Sequence, residues 1–198
     1  MIRKFDLFLK RLFDIIFSGV GMVLLSPFLV LISILIKVVM PGPVLFKQIR
    51  VGKNKRLFKI FKFRTMKIDK EAENSHDISK DTERLTTLGR FLRRTKIDEL
   101  PQLVNVFTGD MSLVGPRPTF EEQVRKYDKH QMKRLDMRPG MTGLAQINGN
   151  TALSWEERIR FDIRYVENFN VMLDIKILLR TIGVVVMGEE RFVDLNRK

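Results

Sequence analysis

The feature that most constrains this chain is an apolar stretch near its N terminus, from about Leu12 to Met40. Between Ile15 and Ile36 it contains no charged residue over 22 positions. At about 1.5 Å of rise per residue, a helix of that length extends about 33 Å, which is enough to cross the hydrocarbon core of a bilayer. The stretch therefore predicts a membrane element that the rest of the fold must accommodate.

Two details of this stretch favour a helix that enters the membrane and returns to the same side. Ser26 and Pro27 lie near its middle, where a proline removes a backbone donor and bends or breaks a helix. Basic residues precede and follow the stretch, and such residues next to a membrane segment tend to remain in the cytoplasm. We therefore predict a re-entrant bend at Ser26-Pro27, with Ser26 bonding a backbone carbonyl freed by Pro27. A kinked single span is the alternative.

One carboxylate, Asp14, lies at the entrance of the apolar stretch. Its expected partner is Lys10 or Arg11, one turn back along the helix. Exposure of Asp14 to lipid headgroups is the alternative.

Charge and composition limit the chemistry of the chain. The formal net charge is +13 at pH 7, which predicts an anionic partner. Nine basic residues and no acidic one lie between Lys47 and Lys67, directly after the apolar stretch. This position favours anionic phospholipid over nucleic acid, for which we expect no role. The absence of cysteine excludes thiol chemistry, and the presence of only two histidines disfavours zinc or triad chemistry.

The periodicity of the chain predicts a mainly α, or α+β, fold with two parts. Residues 1–40 are expected to form a re-entrant membrane helix hairpin, and residues 41–198 a compact cytoplasmic helical domain with a small β-hairpin. The expected elements are helices Phe5–Ser26 and Phe28–Val39, strands Val44–Arg50 and Leu57–Met66, an exposed loop over 67–84, a helix from about Leu85 that stops before Thr95, and helices Thr119–Arg134, Ser154–Asn168 and Val171–Met187.

The sharpest candidate for chemistry is a pair of adjacent carboxylates, Asp98 and Glu99. Pro101 suits the first turn of a helix but not its interior, so both acids should lie at a helix N terminus. Helix capping alone is the simplest interpretation of such a pair. However, cations lie close by in sequence, namely Arg93, Arg94, Lys96 and Arg117. Carboxylates bind Mg²⁺ through oxygen and arginines match phosphate oxygens, so the combination suits diphosphate chemistry.

Other familiar sites are disfavoured. The run from Gly109 to Gly115 lacks the spacing of a Walker A loop, and Ser112 has no histidine nearby in sequence that would activate it as a nucleophile. The segment from Gly115 to Pro118 is too rigid and too poor in donors for regular structure, and we expect it to hold Arg117 in a fixed direction. The glycines that follow are expected to shape a loop, with close approach to a nucleotide as the alternative; they are Gly140, Gly143 and Gly149.

Seven motifs occur in a fixed order, within a match to a known family that extends from about residue 8 to 185. They are Lys10-Arg11-Leu12-Phe13-Asp14, Ser26-Pro27, Phe61-Lys62-Phe63-Arg64-Thr65-Met66, Asp98-Glu99-Leu100-Pro101-Gln102, Gly109-Asp110-Met111-Ser112, Gly115-Pro116-Arg117-Pro118 and Arg138-Pro139-Gly140-Met141-Thr142-Gly143. In this combination they resemble the bacterial sugar transferases, the monotopic phosphoglycosyl transferases. Larger relatives carry an additional N-terminal multi-span region or a fused domain, so the chain resembles the minimal catalytic form.

The resemblance implies an enzyme on the cytoplasmic face of the bacterial inner membrane. Members transfer a phosphosugar from a nucleotide diphosphate sugar, usually a UDP-sugar, to a polyprenyl phosphate such as undecaprenyl phosphate, and release UMP. This step begins the assembly of a surface glycan or glycoprotein. The sequence indicates neither the sugar nor an oligomeric state. A membrane-anchored polybasic adaptor that binds anionic lipid or nucleic acid without catalysis is the alternative.

The resemblance also implies roles for individual residues. Asp98 is expected to be the nucleophile that forms a covalent aspartyl phosphosugar. Glu99, together with Asp98, is expected to bind Mg²⁺. The expected phosphate-binding residues are Arg93 and Arg117, with Lys62 and Arg64 as further candidates.

Overall fold

The structure is a computed structural model that describes residues 4–68 and 84–187. Within these ranges the chain is mainly helical, with one antiparallel and one parallel two-stranded sheet. The helices are α1 (Lys4–Val39), α2 (Thr87–Arg94), α3 (Gln102–Thr108), α4 (Glu121–Val124), α5 (Trp155–Glu167) and α6 (Val171–Met187). The strands are β1 (Leu45–Val51), β2 (Leu57–Phe63), β3 (Ser112–Val114) and β4 (Gly140–Thr142). Most of the loop expected over 67–84 lies outside the described residues.

The apolar stretch forms a single helix, α1, which continues through Pro27. The expected division into Phe5–Ser26 and Phe28–Val39 is therefore wrong. Pro27 has no N–H to bond the carbonyl of Val23, but the Ser26 hydroxyl donates to that carbonyl at 2.8 Å, as expected. This hydrogen bond replaces the missing backbone partner, which lets the helix continue. The bend that returns α1 to the same side of a membrane stays a prediction.

One face of α1 contacts the rest of the protein, and the opposite face is exposed and apolar. The buried residues fall on one side of the helix, both before and after Pro27; they are Lys10, Asp14, Ser18, Ile32 and Ile36. Exposed apolar residues include Phe8, Phe17, Val23, Leu24, Val30 and Val38. Among the described helices, α1 alone is long and apolar enough to cross a membrane, judged by length and composition. These properties suit a membrane anchor.

Asp14 is buried, and its partners lie far away in sequence. Its Oδ1 accepts hydrogen bonds from the Ser112 hydroxyl at 3.0 Å and from the Leu113 N–H at 2.9 Å. The expected pairing with a basic residue one turn back is therefore wrong, and so is the alternative of exposure to headgroups. Lys10 instead pairs with Asp174 of α6 at 2.6 Å. Because these contacts hold α1 against β3 and α6, we call the group the α1 tether; it comprises Lys10, Asp14, Ser112, Val114, Tyr165 and Asp174.

The expected β-hairpin is confirmed. β1 and β2 pair antiparallel in a register that runs from Leu45 opposite Phe63 to Val51 opposite Leu57. One face of the hairpin packs against α3 and against Met111, which follows α3, through Phe58, Ile60 and Val106. This packing fixes the hairpin beside the Asp98-Glu99 turn.

Two of the expected helices in the second half of the chain are confirmed. The Ser154 hydroxyl accepts from the Glu157 N–H at 3.2 Å, and the Glu157 carboxylate accepts from the Ser154 N–H at 2.8 Å. These two hydrogen bonds form the capping box at the N terminus of α5. The last helix, α6, has the bounds that the sequence predicts. Both helices pack in one core with β3 through Val114, Tyr165 and Ile177.

The helix expected over Thr119–Arg134 is wrong, because α4 ends at Val124. Beyond it, the Asp128 carboxylate accepts from the Gln131 N–H at 2.7 Å, and the Gln131 side chain accepts from the Asp128 N–H at 3.2 Å. Side chains that bond nearby backbone groups in this way compete with the helix ladder. The chain therefore turns at this point and continues as a 3₁₀ helix over Gln131–Asp136.

The parallel pair formed by β3 and β4 has no counterpart among the sequence predictions. Its strands have three residues each, too few for an alternating pattern. The two backbones approach so closely that a Cβ atom on Gly140 would lie 2.0 Å from the nitrogen of Gly115. Gly143 is equally close to the same strand end, since its Cβ would lie 2.1 Å from the Gly115 oxygen. These glycines therefore shape the loop, as expected.

Candidate active site

The Asp98-Glu99 pair lies on a single 3₁₀ turn, Ile97–Glu99, directly before α3. Helix α2 ends at Arg94, and Lys96 adopts a left-handed conformation with φ of 58° that reverses the chain into this turn. The two acids therefore precede the first turn of α3, close to the helix N terminus that Pro101 predicts. The turn brings both carboxylates beside β2.

Glu99 is held by two cations that come from different parts of the chain. Its Oε1 accepts from the Lys62 ammonium at 2.5 Å and lies 3.4 Å from Nη2 of Arg117. Burial alone would raise the pKa of Glu99, but Arg117 and Lys62 outweigh it and lower that pKa to about 2. Glu99 is therefore ionised at neutral pH.

Asp98 is in a different state, although it is the adjacent residue. Its side chain is buried, with 8% of the residue exposed, and its carboxylate accepts no hydrogen bond from any described residue. Burial, followed by repulsion from Glu99, raises the pKa of Asp98 to about 6, with Lys62 and Arg93 opposing the shift. A carboxylate that is largely ionised at neutral pH, and has no bound donor, is available to react or to bind a cation.

A cleft beside Glu99 is lined by residues from the hairpin, α3, the loop that follows β3, and β4. Its charged lining consists of three cations, Arg50, Lys62 and Arg117, and the single carboxylate of Glu99. The remaining lining residues are Ile60, Gln102, Pro118, Gly140 and Met141. We call this space the candidate cleft. An excess of fixed cations makes it suited to an anionic ligand.

The backbone on both sides of Arg117 is fixed, as the sequence predicts. The Gly115 N–H donates to the Thr142 carbonyl, and the Gly140 N–H donates to the Pro116 carbonyl, both at 2.9 Å. The Arg117 carbonyl itself accepts from Arg134 at 3.0 Å.

Arg134 is in turn buried against Asp162, to which it donates a charge-assisted hydrogen bond. It also donates to the Tyr127 hydroxyl, and its guanidinium lies near the rings of Tyr127 and Trp155. The loop that carries Arg117 is therefore anchored to α5 through a buried ion pair.

The predicted phosphate-binding residues are only partly brought together. Lys62 and Arg117 line the candidate cleft. Arg93 is exposed and donates to the Thr65 hydroxyl at 3.0 Å. Its charge opposes the rise in the pKa of Asp98. Arg64 is buried and donates to the carbonyls of Met40 and Pro41, at the end of α1. Substrate binding by Arg93 or Arg64 stays a prediction.

Comparison with protein families identifies the chain. Residues 5–188 match the family of bacterial sugar transferases. The chain belongs to this family. The resemblance that the seven sequence motifs carry is therefore confirmed.

Three relatives show how far the similarity extends. This sugar transferase is 44% identical over 193 residues to the exopolysaccharide production protein PSS of Rhizobium leguminosarum bv. phaseoli, covering 89% of this chain and 94% of the relative. It is 41% identical over 182 residues to the uncharacterized sugar transferase EpsL of Bacillus subtilis (strain 168), covering 91% and 89%. It is also 41% identical over 182 residues to the UDP-glucose:undecaprenyl-phosphate glucose-1-phosphate transferase of Escherichia coli (strain K12), covering 88% of this chain but 39% of that protein.

The structure of the transferase adds two cleft residues that sequence reasoning does not single out, Arg50 and Gln102. Arg50 lies over the ring of Phe120, with 3.4 Å between its Cζ atom and the ring centroid, and donates to the Gln48 side chain at 2.6 Å. Burial, followed by the charge of Arg117, lowers the pKa of Arg50 to about 10, although Glu99 opposes this shift.

The strand pattern could have identified Arg50 as a cleft residue if the register of the hairpin had been known. The pairs Gln48 with Ile60 and Phe46 with Lys62 place residues 48, 50, 60 and 62 on one face of the hairpin. The predicted cation Lys62 therefore identifies the face on which Arg50 also lies.

The donor set of the transferase fits Mg²⁺. Asp98 and Glu99 supply carboxylate oxygens, which this hard cation prefers, and Asp98 has no competing hydrogen bond from the described residues. No group of three or more potential ligand residues occurs in the described part of the chain. The protein would therefore supply two ligands and leave the other positions to phosphate and water, as is usual for Mg²⁺ at phosphate sites.

Proposed function

We propose that this sugar transferase moves a phosphosugar from a nucleotide diphosphate sugar, a UDP-sugar in the first instance, to undecaprenyl phosphate. The products are UMP and an undecaprenyl diphosphate sugar, and the step opens the assembly of a surface glycan or glycoprotein. The activity in the name of the Escherichia coli relative and the exopolysaccharide role in the name of PSS support this assignment. The single observation that carries it is the state of Asp98, a buried carboxylate that accepts no hydrogen bond from the described residues, beside a cleft rich in cations.

The proposed chemistry has two steps. In the first, a carboxylate oxygen of Asp98 attacks the phosphorus that bears the sugar, and the bond from this phosphorus to the bridging oxygen breaks, so that UMP leaves with that oxygen. In the second, an oxygen of undecaprenyl phosphate attacks the same phosphorus and the bond to Asp98 breaks, which restores the carboxylate. Dividing the transfer in this way lets a soluble donor and a membrane-bound acceptor use one site in turn.

The cations of the cleft address the main obstacle to this reaction, which is repulsion between a carboxylate and a diphosphate. Lys62 and Arg117 are held in place by Glu99, so their charges are already oriented before the substrate binds. When bound by Glu99 and Asp98, Mg²⁺ would supply further neutralisation of the diphosphate. Arg93, which lowers the pKa of Asp98, would help to keep the nucleophile ionised.

We further propose that α1 is a monotopic anchor on the cytoplasmic face of the bacterial inner membrane, in contact with anionic phospholipid. A methyl group on Gly21 would lie 3.5 Å from Leu103 of α3, and Leu29 packs on the core beneath the end of α1. Between these two contacts lie about eight residues, or about 12 Å of helix, against about 30 Å for a hydrocarbon core. This length supports an anchor that does not cross the bilayer while both parts of α1 contact the same domain.

A turnover assay tests the proposed reaction. The purified protein in detergent is given undecaprenyl phosphate, Mg²⁺ and a panel of UDP-sugars, and UMP release is measured. We expect release with at least one donor and a loss of at least about 10³-fold in Asp98→Asn, since the nucleophile is removed. Asp128→Asn is the matched control, because Asp128 is exposed and an asparagine oxygen can accept the same bond from Gln131.

Two outcomes would contradict the proposal. Absence of UMP with every donor would favour the polybasic adaptor, which has no need of a reactive Asp98. A phosphosugar adduct trapped on a residue other than Asp98 would overturn the assignment of the nucleophile.

Cysteine labelling tests the topology, because the chain has no native cysteine. Single cysteines replace two exposed residues, Lys4 at the start of α1 and Lys55 beyond its end. In inverted membrane vesicles, both should react with an impermeant maleimide. Reaction of the two from opposite sides would establish a spanning helix instead.

A further inference from the structure

The three cations of the candidate cleft differ in whether a carboxylate bonds them. Lys62 and Arg117 both bond the carboxylate of Glu99. Arg50 has no carboxylate partner among the described residues, and its only hydrogen-bond acceptor is the neutral side chain of Gln48. Its Nε atom is buried without a partner, and its Nη1 atom donates to no described residue. The guanidinium is therefore partly buried, and no carboxylate among the described residues bonds it, although the charge of Glu99 acts on it.

The position of Arg50 is nevertheless fixed. The guanidinium lies flat on Phe120, and its Nη2 atom is directed by Gln48. An arginine that is held on an aromatic ring has already lost most of its side-chain freedom, so less is lost when it binds a ligand. A fixed and partly desolvated guanidinium with open N–H groups is the arrangement that recognises a phosphate oxygen pair.

The two ends of the cleft differ in the charges that surround them. The groups that act on the pKa of Asp98 are Glu99, Lys62, Arg93 and Lys96, whereas Arg50 responds to Arg117 and Glu99. Glu99, the residue that follows Asp98 in the chain, lines the candidate cleft together with Arg50. A diphosphate that places one phosphorus at Asp98 would direct its other phosphate towards Arg50.

We propose that Arg50 binds the phosphate of the donor that leaves with the nucleotide, and so acts as a binding residue for the nucleoside monophosphate part. This inference rests on the proposed function, because it assumes a nucleotide diphosphate donor with its reacting phosphorus at Asp98. Arg50 completes a set of three cations along the cleft, in which Lys62 and Arg117 also stabilise Glu99.

The test uses UMP as a probe in the turnover assay and Arg50→Met as the variant. We expect the inhibition constant for UMP and the KM for the donor to rise about 10- to 100-fold, as for the loss of a charge-assisted hydrogen-bond pair. Arg50→Lys should recover part of this loss, because it keeps the charge without the planar fork. Arg56→Met is the matched control, since Arg56 is an exposed arginine in the turn of the same hairpin and should leave both constants unchanged.

Circular dichroism establishes that each variant is folded, and Arg50→Lys carries the test if Arg50→Met does not fold. A folded variant with the wild-type inhibition constant for UMP would overturn the inference. Failure of the proposed function is a separate result, because it is the absence of UMP release by the wild-type protein. In that case calorimetric titration of UMP into wild-type and Arg50→Met protein decides the role of Arg50, and equal or absent binding overturns it.

Discussion

The α1 tether and the candidate cleft both withdraw charged side chains from water, but they satisfy them differently. In the tether, Lys10 donates to the Asp174 carboxylate at 2.6 Å and to the Val114 carbonyl at 2.8 Å. Asp174 also accepts from the Tyr165 hydroxyl at 2.7 Å. Beside the cleft, by contrast, the carboxylate of Asp98 accepts no hydrogen bond from a described residue. Arg50 likewise has no carboxylate partner there.

This difference distinguishes charged residues that stabilise the fold from charged residues that are available to bind a ligand. Buried ions are stable when they are paired and hydrogen-bonded, and costly when they are not. The Lys10–Asp174 pair therefore stabilises the fold without a ligand, although Oδ2 of Asp14 in the same tether is buried without a partner among the described residues. In and beside the cleft, the burial of Arg50 and Asp98 costs free energy that a bound diphosphate and Mg²⁺ would offset. Removing a charge should consequently have opposite effects on stability in the two regions.

The largest expected effect is in the tether. Lys10→Met leaves Asp174 buried without its cation, and we expect the free energy of unfolding to fall by about 3 kcal/mol. Chemical denaturation of the detergent-solubilised protein measures the change. The double variant Lys10→Met/Asp174→Leu should recover most of the loss, because an apolar pair replaces the ion pair. If the double variant is no more stable than Lys10→Met, the ion pair is not the reason for the effect.

In the cleft, Asp98→Asn should stabilise the protein, by about 1–2 kcal/mol at pH 7.5 in the presence of a chelator. The folded-state pKa of about 6 exceeds the ordinary value of 3.8, so the folded protein binds the proton more readily than the unfolded chain. The free energy of unfolding therefore falls as pH rises from about 4 to 6. Asparagine does not ionise, so its advantage should disappear near pH 4.

Addition of Mg²⁺ provides a second test with the variant Asp98→Asn. Since the ion would bind the ionised carboxylates, its addition should raise the melting temperature of the wild-type protein more than that of Asp98→Asn. A lower stability of Asp98→Asn at pH 7.5 would show that Asp98 is a structural residue, like those of the tether. The contrast between the two regions would then fail.

Local patterns were sufficient to predict the parts of the molecule whose structure is decided within a few residues. The β-hairpin follows from alternation and from a polar turn, and α5 begins at a capping box that lies in four consecutive residues. The Asp98-Glu99 turn was predicted close to its observed place, because Pro101 restricts where a helix can begin. In each case the deciding interaction joins neighbours in the chain.

The remaining features depend on partners that are distant in sequence. Asp14 bonds Ser112 and Leu113, almost one hundred positions away, so no rule about neighbours in a helix could find them. The pairing of β3 with β4 is equally remote, and three-residue strands carry no periodic signal. Arg50 could be recognised as a cleft residue only after the hairpin register had placed it on the same face as Lys62.

The smallest expected effect concerns a neutral group on the anchor side, the Val23 carbonyl that Pro27 leaves without a backbone donor. Ser26→Ala removes the hydroxyl that satisfies this carbonyl at 2.8 Å, and we expect a loss of about 0.5–1.5 kcal/mol in the free energy of unfolding. Ser33→Ala is the matched control, because the Ser33 hydroxyl donates to the Leu29 carbonyl, which no proline deprives of its helical donor. Equal stability of the two variants would show that water or lipid headgroups satisfy the Val23 carbonyl. A larger loss in Ser26→Ala would establish that α1, like its charged tether, satisfies its polar groups within the protein.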